Sequence, residues 1–305
     1  MELRKYHGLG NDYFVLTPAE LGGRELSAGL IRRICDRHFG AGSDGILLGP
    51  IERGTEDFAR LAAQSGAAVP ADCRLGLRIL NPDGSEAEKS GNGLRIFTQY
   101  LHDGGLIGEE PVRLLTLGGV VTVQVLEPRR RLRVEVGEAS FRSSRLPMTG
   151  AEREVVAERL EAGGHAYTVT CVSVGNPHCV VTGREVTEAE AREHGPVLEC
   201  DAHFPRRVNV QLMRPVDGHT IELEIWERGA GYTLASGTSA SASAAAAVRL
   251  GLCASPVTVR MPGGSLRVEI DAQWRITLTG PAEPICRILW PDGQECEPSP
   301  PWRAT

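Results

Sequence analysis

No stretch of this 305-residue sequence approaches the roughly 20 apolar residues that a membrane span needs. Its most apolar segment, Ala240 to Leu250, is short and built mainly of alanine. There is no Cys-x-x-Cys pair and no Cys/His cluster. The eight cysteines (35, 73, 171, 179, 200, 253, 286 and 296) are therefore expected to be buried small hydrophobes, neither disulfide partners nor zinc ligands. Positive charge is not in excess: the net charge is −6, which disfavours a nucleic-acid partner. No Gly-x-Gly-x-x-Gly with a later acidic residue, no P-loop and no His-Glu-x-x-His is present, so no cofactor and no metal are expected. The opening Met1-Glu-Leu-Arg-Lys-Tyr-His lacks the apolar core of a signal peptide, and a cytoplasmic location is the expectation.

What the chain does have is a repeated corner. Asn81-Pro-Asp-Gly-Ser-Glu-Ala-Glu-Lys-Ser-Gly-Asn-Gly-Leu-Arg95 and Trp226-Glu-Arg-Gly-Ala-Gly-Tyr-Thr-Leu-Ala-Ser-Gly-Thr238 each end in a Ser-Gly-polar turn that opens a helix. Each sets a polar side chain nine residues ahead of its serine: Asn81 before Ser90, Glu227 before Ser236. Glycine at a strand-to-helix turn lets the backbone approach a ligand, and the first N–H groups of the helix favour a carboxylate or phosphate. A single such turn usually does no more than start a helix; two at matched spacing point to a duplicated chain with one reactive corner per half.

The duplication runs on downstream. Leu117-Gly-Gly-Val-Val-Thr-Val-Gln-Val-Leu126 followed by Leu132 to Ala139 mirrors Met261-Pro-Gly-Gly-Ser-Leu-Arg-Val-Glu-Ile270 followed by Arg275 to Ala282. Gly118 lies 28 residues after Ser90 and Gly263 lies 27 after Ser236. Alternating Val, Ile and Leu with polar residues, bounded by glycine, reads as antiparallel hairpins. A chain of this length divides naturally into two domains of about 130 to 150 residues, with boundaries at 1–138 plus about 281–305 and at 139–280.

Further strands are expected at Leu3 to Leu16 around a turn, Ile46 to Leu48, Leu75 to Leu80, Tyr167 to Val174, Val208 to Leu212 and Thr220 to Trp226. Helices are expected at Ala28 to Arg37 and Gly93 to His102, and Glu-rich helical segments at 151–162 and 187–194. Residues 51–74 read as a charged helical or looping excursion, and the Pro-rich end, Pro298 to Trp302, as loosely ordered. Two small polar loops, Gly10-Asn11-Asp12 and Gly175-Asn-Pro-His178, follow strands. Asn alone caps turns well enough to explain such loops, but in company with the two corners they are read as lining one cleft.

His7-Gly-Leu-Gly-Asn-Asp12, the Asn81 to Arg95 stretch, Gly175-Asn-Pro-His178, Arg207-Val-Asn209 and Trp226-Glu-Arg-Gly229 with Gly237-Thr238 together resemble the diaminopimelate epimerase family, in the family's order and over nearly the whole chain. The resemblance implies an α+β fold: two pseudo-symmetric domains, each a mixed or antiparallel sheet wrapped around a central helix, with a cleft between them. It implies a cofactor-independent isomerase converting LL- to meso-diaminopimelate in lysine biosynthesis, with a small amino acid as its partner and a homodimer as a possible assembly. One family cysteine removes the α-proton and a second returns a proton to the opposite face; those positions fall on Ser90 and Ser236. His178 and Glu227 match the residues that assist the thiols. Asn11, Asn81, Asn176, Asn209 and Arg228 match substrate-binding positions, as do the backbone donors at Gly91, Asn92, Gly237 and Thr238.

The departures are chemical. A thiol has a pKa near 8.5 and is readily poised as thiolate, whereas a serine hydroxyl needs an adjacent base. The family also usually carries Glu where Tyr232 stands, a cysteine where Ser241 stands and Gln or a similar side chain where Gly45 lies. Three readings therefore stay open: an amino-acid epimerase with serine proton carriers, another isomerase or lyase on this scaffold using Glu227 or His178 as shuttle, and a non-catalytic amino-acid binder.

Overall fold

The computed structural model describes residues 1–291. The segment Pro298 to Trp302, read above as loosely ordered, and Cys296 lie outside the described residues. The chain divides into two compact units: one holds Met1–Gly8, Asp12–Arg129 and the described residues from Ala282 on; the other holds Leu9–Asn11 and Arg130–Pro281.

The first unit contains β1 (Glu2–Gly8), most of β2 (Asn11–Leu16), α1 (Pro18–Leu21), α2 (Ala28–Cys35), β3 (Ile46–Glu52), α3 (Glu56–Ser65), β4 (Leu75–Leu80), β5 (Glu86–Ala87), α4 (Gly91–Asp103), β6 (Val112–Thr116) and β7 (Gly119–Glu127). In the second follow β8 (Arg131–Glu138), β9 (Glu158–Ala162), β10 (His165–Ser173), β11 (Pro177–Thr182), α5 (Glu188–Glu199), β12 (Asn209–Asp217), β13 (Thr220–Glu227), β14 (Gly231–Thr233), α6 (Gly237–Arg249), β15 (Val257–Met261), β16 (Gly264–Ile270) and β17 (Arg275–Gly280). The last strand, β18 (Glu283–Leu289), pairs antiparallel with β1 in the first unit.

The internal repeat is visible in the pairing. In the first unit β2 runs parallel to β3, β3 antiparallel to β4, β4 antiparallel to β5 and parallel to β6, and β6 antiparallel to β7. In the second unit β11, β12, β13, β14, β15 and β16 repeat those relations one for one. Each sheet surrounds a 13-residue helix, α4 or α6, between Ser90 or Ser236 and the following hairpin. Burial follows strand periodicity. β7 alternates buried Val121, Val123 and Val125 with half-exposed neighbours, as expected of a strand with one face on the core.

Several sequence expectations need correction. The boundary expected after residue 138 falls at Arg129/Arg130, because β8 pairs antiparallel with β17 along residues 132–138 and so completes the second unit's sheet. Residues 151–162 contain no helix; they end in β9, which pairs with β10. Gly163 and Gly164, at φ +54° and +79°, form the two-residue turn between them, a conformation that glycine adopts without strain. The excursion at 51–74 holds α3, which is capped by the Thr55 side chain and lays Phe58 and Leu61 against Ile51, Cys73 and Leu115. α5 runs five residues beyond the expected 194, to Glu199. Cys35, Cys73, Cys171, Cys179 and Cys253 are buried as expected, but Cys200 and Cys286 are exposed. Among the described residues no helix is long and apolar enough to cross a membrane.

Candidate active site

The two serine corners are built alike. Ser90 and Ser236 are the N-caps of α4 and α6, with φ −142° in both and ψ 117° and 128°. Ser90 Oγ accepts the Gly93 N–H at 3.0 Å, and Ser236 Oγ accepts the Ser239 N–H at 3.4 Å. Each hydroxyl oxygen thus rests in the partly positive field of a helix start. The glycine pairs act in the same way in both units. Gly118 N–H donates to the Glu88 carbonyl and Gly263 N–H to the Leu234 carbonyl, both at 2.9 Å. In each unit the bonded carbonyl lies two residues before the serine, so the downstream hairpin pins the strand that delivers the hydroxyl. A Cβ on Gly263 would stand 2.4 Å from the Leu9 carbonyl oxygen, and one on Gly118 would stand 2.9 Å from the Glu88 carbonyl oxygen.

In the first unit Ser90, Gly91 and Asn92 open α4, and Asn81 follows β4. Asn81 closes a tight turn: its N–H donates to the Ser85 carbonyl at 2.8 Å and its Nδ2 to Ser85 Oγ at 2.9 Å. Asn92 Oδ1 accepts from Arg95 at 2.8 Å, and Arg95 also reaches the Gly91 carbonyl at 3.2 Å. Arg95 is fully buried, and burial alone pulls its guanidinium down to about 9, so it stays cationic at neutral pH beneath the first turn of α4. From the sequence this arginine stood out only as part of a motif. Asp12 is a second missed anchor: it binds Lys5 and Arg37, both at 2.7 Å, and fixes the chain just after Asn11. Burial works against the Asp12 carboxylate, but the Arg37 and Lys5 bonds outweigh it and hold its pKa below the usual range. Gly45 explains one family departure. Its φ is +152°, and a Cβ there would meet the Leu80 carbonyl oxygen at 2.5 Å and the Tyr13 ring at 2.7 Å.

Asn11, Asn176, His178, Asn209, Glu227, Arg228, Ser236, Gly237 and Thr238 all belong to the second unit. His178 is completely buried, and its Nε2 lies 3.0 Å from Asn176 Oδ1. Burial drives its pKa down to about 3; Gln211 resists that shift and the Arg228 charge adds to it. The ring is therefore neutral over the ordinary pH range. Asn209 spans two strands: its Nδ2 donates to the Pro177 carbonyl at 2.9 Å and its Oδ1 accepts the Arg228 N–H at 3.0 Å. Both ends of that amide are engaged by backbone, so Asn209 aligns the loop that carries Arg228. The Glu227 carboxylate accepts from Thr233 Oγ1 at 3.3 Å, and Thr238 Oγ1 lies 3.4 Å from Ser236 Oγ.

Glu199 at the end of α5 was not singled out from the sequence, yet it organises this corner. Its carboxylate accepts Trp226 Nε1–H at 2.7 Å and Gly229 N–H at 2.9 Å, bracketing Glu227 and Arg228. α5 also presses on the same tryptophan at Gly195, where a Cβ would stand 2.4 Å from the ring. The two remaining family departures have local roles: Tyr232 donates to Glu224 at 2.7 Å under the Arg192 guanidinium, and Ser241 donates to the Gly237 carbonyl at 2.8 Å.

Comparison with known proteins agrees with this architecture. The family model for diaminopimelate epimerase matches residues 3–142 and 170–285. A protein of Nostoc sp. named diaminopimelate epimerase 2 is 46% identical over 279 residues, covering 92% of each chain. The diaminopimelate epimerase of Pelotomaculum thermopropionicum is 38% identical, over 93% of this chain and 97% of its own. Among solved structures, a hydroxyproline epimerase from Agrobacterium vitis superposes with a TM-score of 0.65 at 15% identity, covering 94% of this chain and 91% of that one. At that identity the likeness speaks for the fold alone.

Proposed function

The chain belongs to the diaminopimelate epimerase family, and from that premise we propose that it is a cofactor-independent amino-acid epimerase whose substrate is diaminopimelate, interconverting the LL and meso forms in lysine biosynthesis. In this reading Ser90 and Ser236 are the two proton carriers, one taking the α-proton as the other supplies one. Asn81, Asn11, Asn176, Asn209 and Arg228 hold the polar ends of the amino acid, and the helix starts at Gly91-Asn92 and Gly237-Thr238 receive its carboxylates. Glu227 and His178 assist the hydroxyls. The enzyme is proposed to work in the cytoplasm.

The observation that supports this most is the matched construction of the corners: same cap geometry, same helix length, same glycine lock two residues before each serine. Two reactive groups presented in the same way are what a two-base inversion uses. The hydroxyls make the proton transfer slow, because serine is much less acidic than a thiol. Incubation of the protein with LL-diaminopimelate in deuterated water, followed by proton NMR, reads the step directly. Loss of the α-proton signal together with appearance of the meso isomer is expected. The double variant Ser90→Cys with Ser236→Cys should exchange about 10²-fold faster, within the usual span of general acid–base effects. Tight binding with no exchange in either protein would discard the epimerase reading in favour of an amino-acid binder.

The serine pair itself favours one second reading: an isomerase or lyase in which Glu227 or His178 moves a proton on one face only. Exchange without inversion, or loss of a hydroxyl from a hydroxylated amino acid, would single it out.

A further inference from the structure

Beneath the Ser236 corner runs a line of buried polar side chains that a serine proton carrier does not by itself require. Parallel pairing of β11 with β12 sets His178 opposite Asn209 and Val180 opposite Gln211. His178 and Gln211 therefore point to one face of the sheet, where α6 packs on both strands. His178, Gln211 and Ser239 are each 0% exposed. Gln211 Nε2 donates to Ser239 Oγ at 3.0 Å, and the Ser239 N–H is the group that Ser236 Oγ accepts.

That donation leaves Gln211 Oε1 as an acceptor. Oε1 and His178 Nδ1 are both buried and without a partner of good hydrogen-bond geometry, although the two side chains are close enough for Gln211 to favour a protonated ring. On the far side of the imidazole, Nε2 faces Asn176 Oδ1. An acceptor oxygen on each side asks for a proton on each nitrogen, yet this buried ring is neutral and carries one proton only. One amide must therefore turn. Turning Gln211 would reverse its bond with Ser239, the hydroxyl then donating to Oε1, and would have to happen in a sealed site, whereas Asn176 is half-exposed and can turn its amide against solvent.

We propose that Gln211 is a positioning residue that holds His178 as the Nδ1–H tautomer, through a bond from Nδ1–H to Gln211 Oε1. The lone pair then sits on Nε2, on the Asn176 side, where it can accept a proton. The same glutamine ties this ring to the first turn of α6 through Ser239, so the orientation of the base and the placing of Ser236 are set together. The consequence for catalysis rests on the epimerase reading above; the tautomer does not.

Histidine ring ¹⁵N NMR near neutral pH tests the proposal, with the His178 signals assigned by their loss in His178→Gln. The wild-type ring is expected in the Nδ1–H form, and Gln211→Leu is expected to move it toward Nε2–H. A wild-type ring in the Nε2–H form, or a tautomer unchanged by Gln211→Leu, overturns the proposal. Should Gln211→Leu fail to fold, Gln211→Met keeps the side-chain length without the acceptor and is judged in the same way. In the active enzyme Gln211→Leu should lower kcat about tenfold with KM nearly unchanged, the pattern of a group that acts in the transition state. An Nδ1–H ring in a protein that shows no exchange upholds the role of Gln211 and overturns only the epimerase reading.

Discussion

His178 illustrates how much a neighbourhood decides about one side chain. In the sequence it follows Gly175-Asn-Pro, a loop that could expose it to water, yet in the fold it is sealed against the face that α6 covers. Its pKa of about 3 against an unfolded value near 6.5 makes a signed prediction. Below pH 6.5 the unfolded chain takes up a proton that the folded chain refuses, so the stability due to the neutral ring is present above that pH and is lost as pH falls toward 3. Between those limits the wild type should lose up to about 1.4 kcal/mol more per pH unit than His178→Gln. Denaturant melts of both proteins across that range check it; equal slopes would mean that the ring is hydrated and titrates normally. The two serines show the complementary case. Their place at the start of a helix was legible from the Ser-Gly-polar motif, but the amides that they cap were not, since capping depends on which amide lies within reach.

Among elements, the Gly-Gly turns that open β7 and β16 matter because they clamp the strand before each serine. Their substitution costs should differ. A methyl on Gly263 would meet the Leu9 carbonyl at 2.4 Å, whereas on Gly118 the closest atom is a flexible Lys89 carbon at 2.8 Å and the nearest backbone atom, the Glu88 carbonyl oxygen, stands further off at 2.9 Å. Gly263→Ala is expected to destabilise by about 2–3 kcal/mol and Gly118→Ala by less. Thermal melting ranks the two, and the reverse order would show that the clamp in the second unit is looser than its geometry. Residues 151–162 mark where element-level reading failed. Glu-rich spacing in Glu152-Arg-Glu-Val-Val-Ala-Glu-Arg-Leu-Glu161 resembles a helix, but the following Gly163-Gly164 pair, with both φ positive, is a hairpin signal, and the ladder to β10 outweighs local propensity.

At the scale of the molecule, the chain builds one α/β pattern twice and then hands strands on: β8 belongs to the unit of β17, and β18 to the unit of β1. The second unit carries two apolar clusters, one around α6 and one around Phe204, Val210 and Tyr167. A fragment of residues 130–281 retains β8 with nearly all of both clusters and is expected to melt cooperatively by circular dichroism. A fragment of 139–280, lacking β8, should not, because β17 keeps β16 but loses its other neighbour, and Val136 leaves the cluster around α6; cooperative melting of the shorter fragment would show that β8 is dispensable. Local sequence determined the repeat, the strand and helix types at both corners, and the positions of the serines, because turns, caps and hydrophobic periodicity act over a few residues. Tertiary structure alone decided where the domain boundary falls, that Glu199 anchors the turn at Arg228 and Asp12 the chain after Asn11, and that Gln211 lies beside His178. The contacts Asp12–Arg37, Glu199–Trp226 and His178–Gln211 join residues 25 or more apart in sequence, through strand pairing and burial that no local pattern encodes.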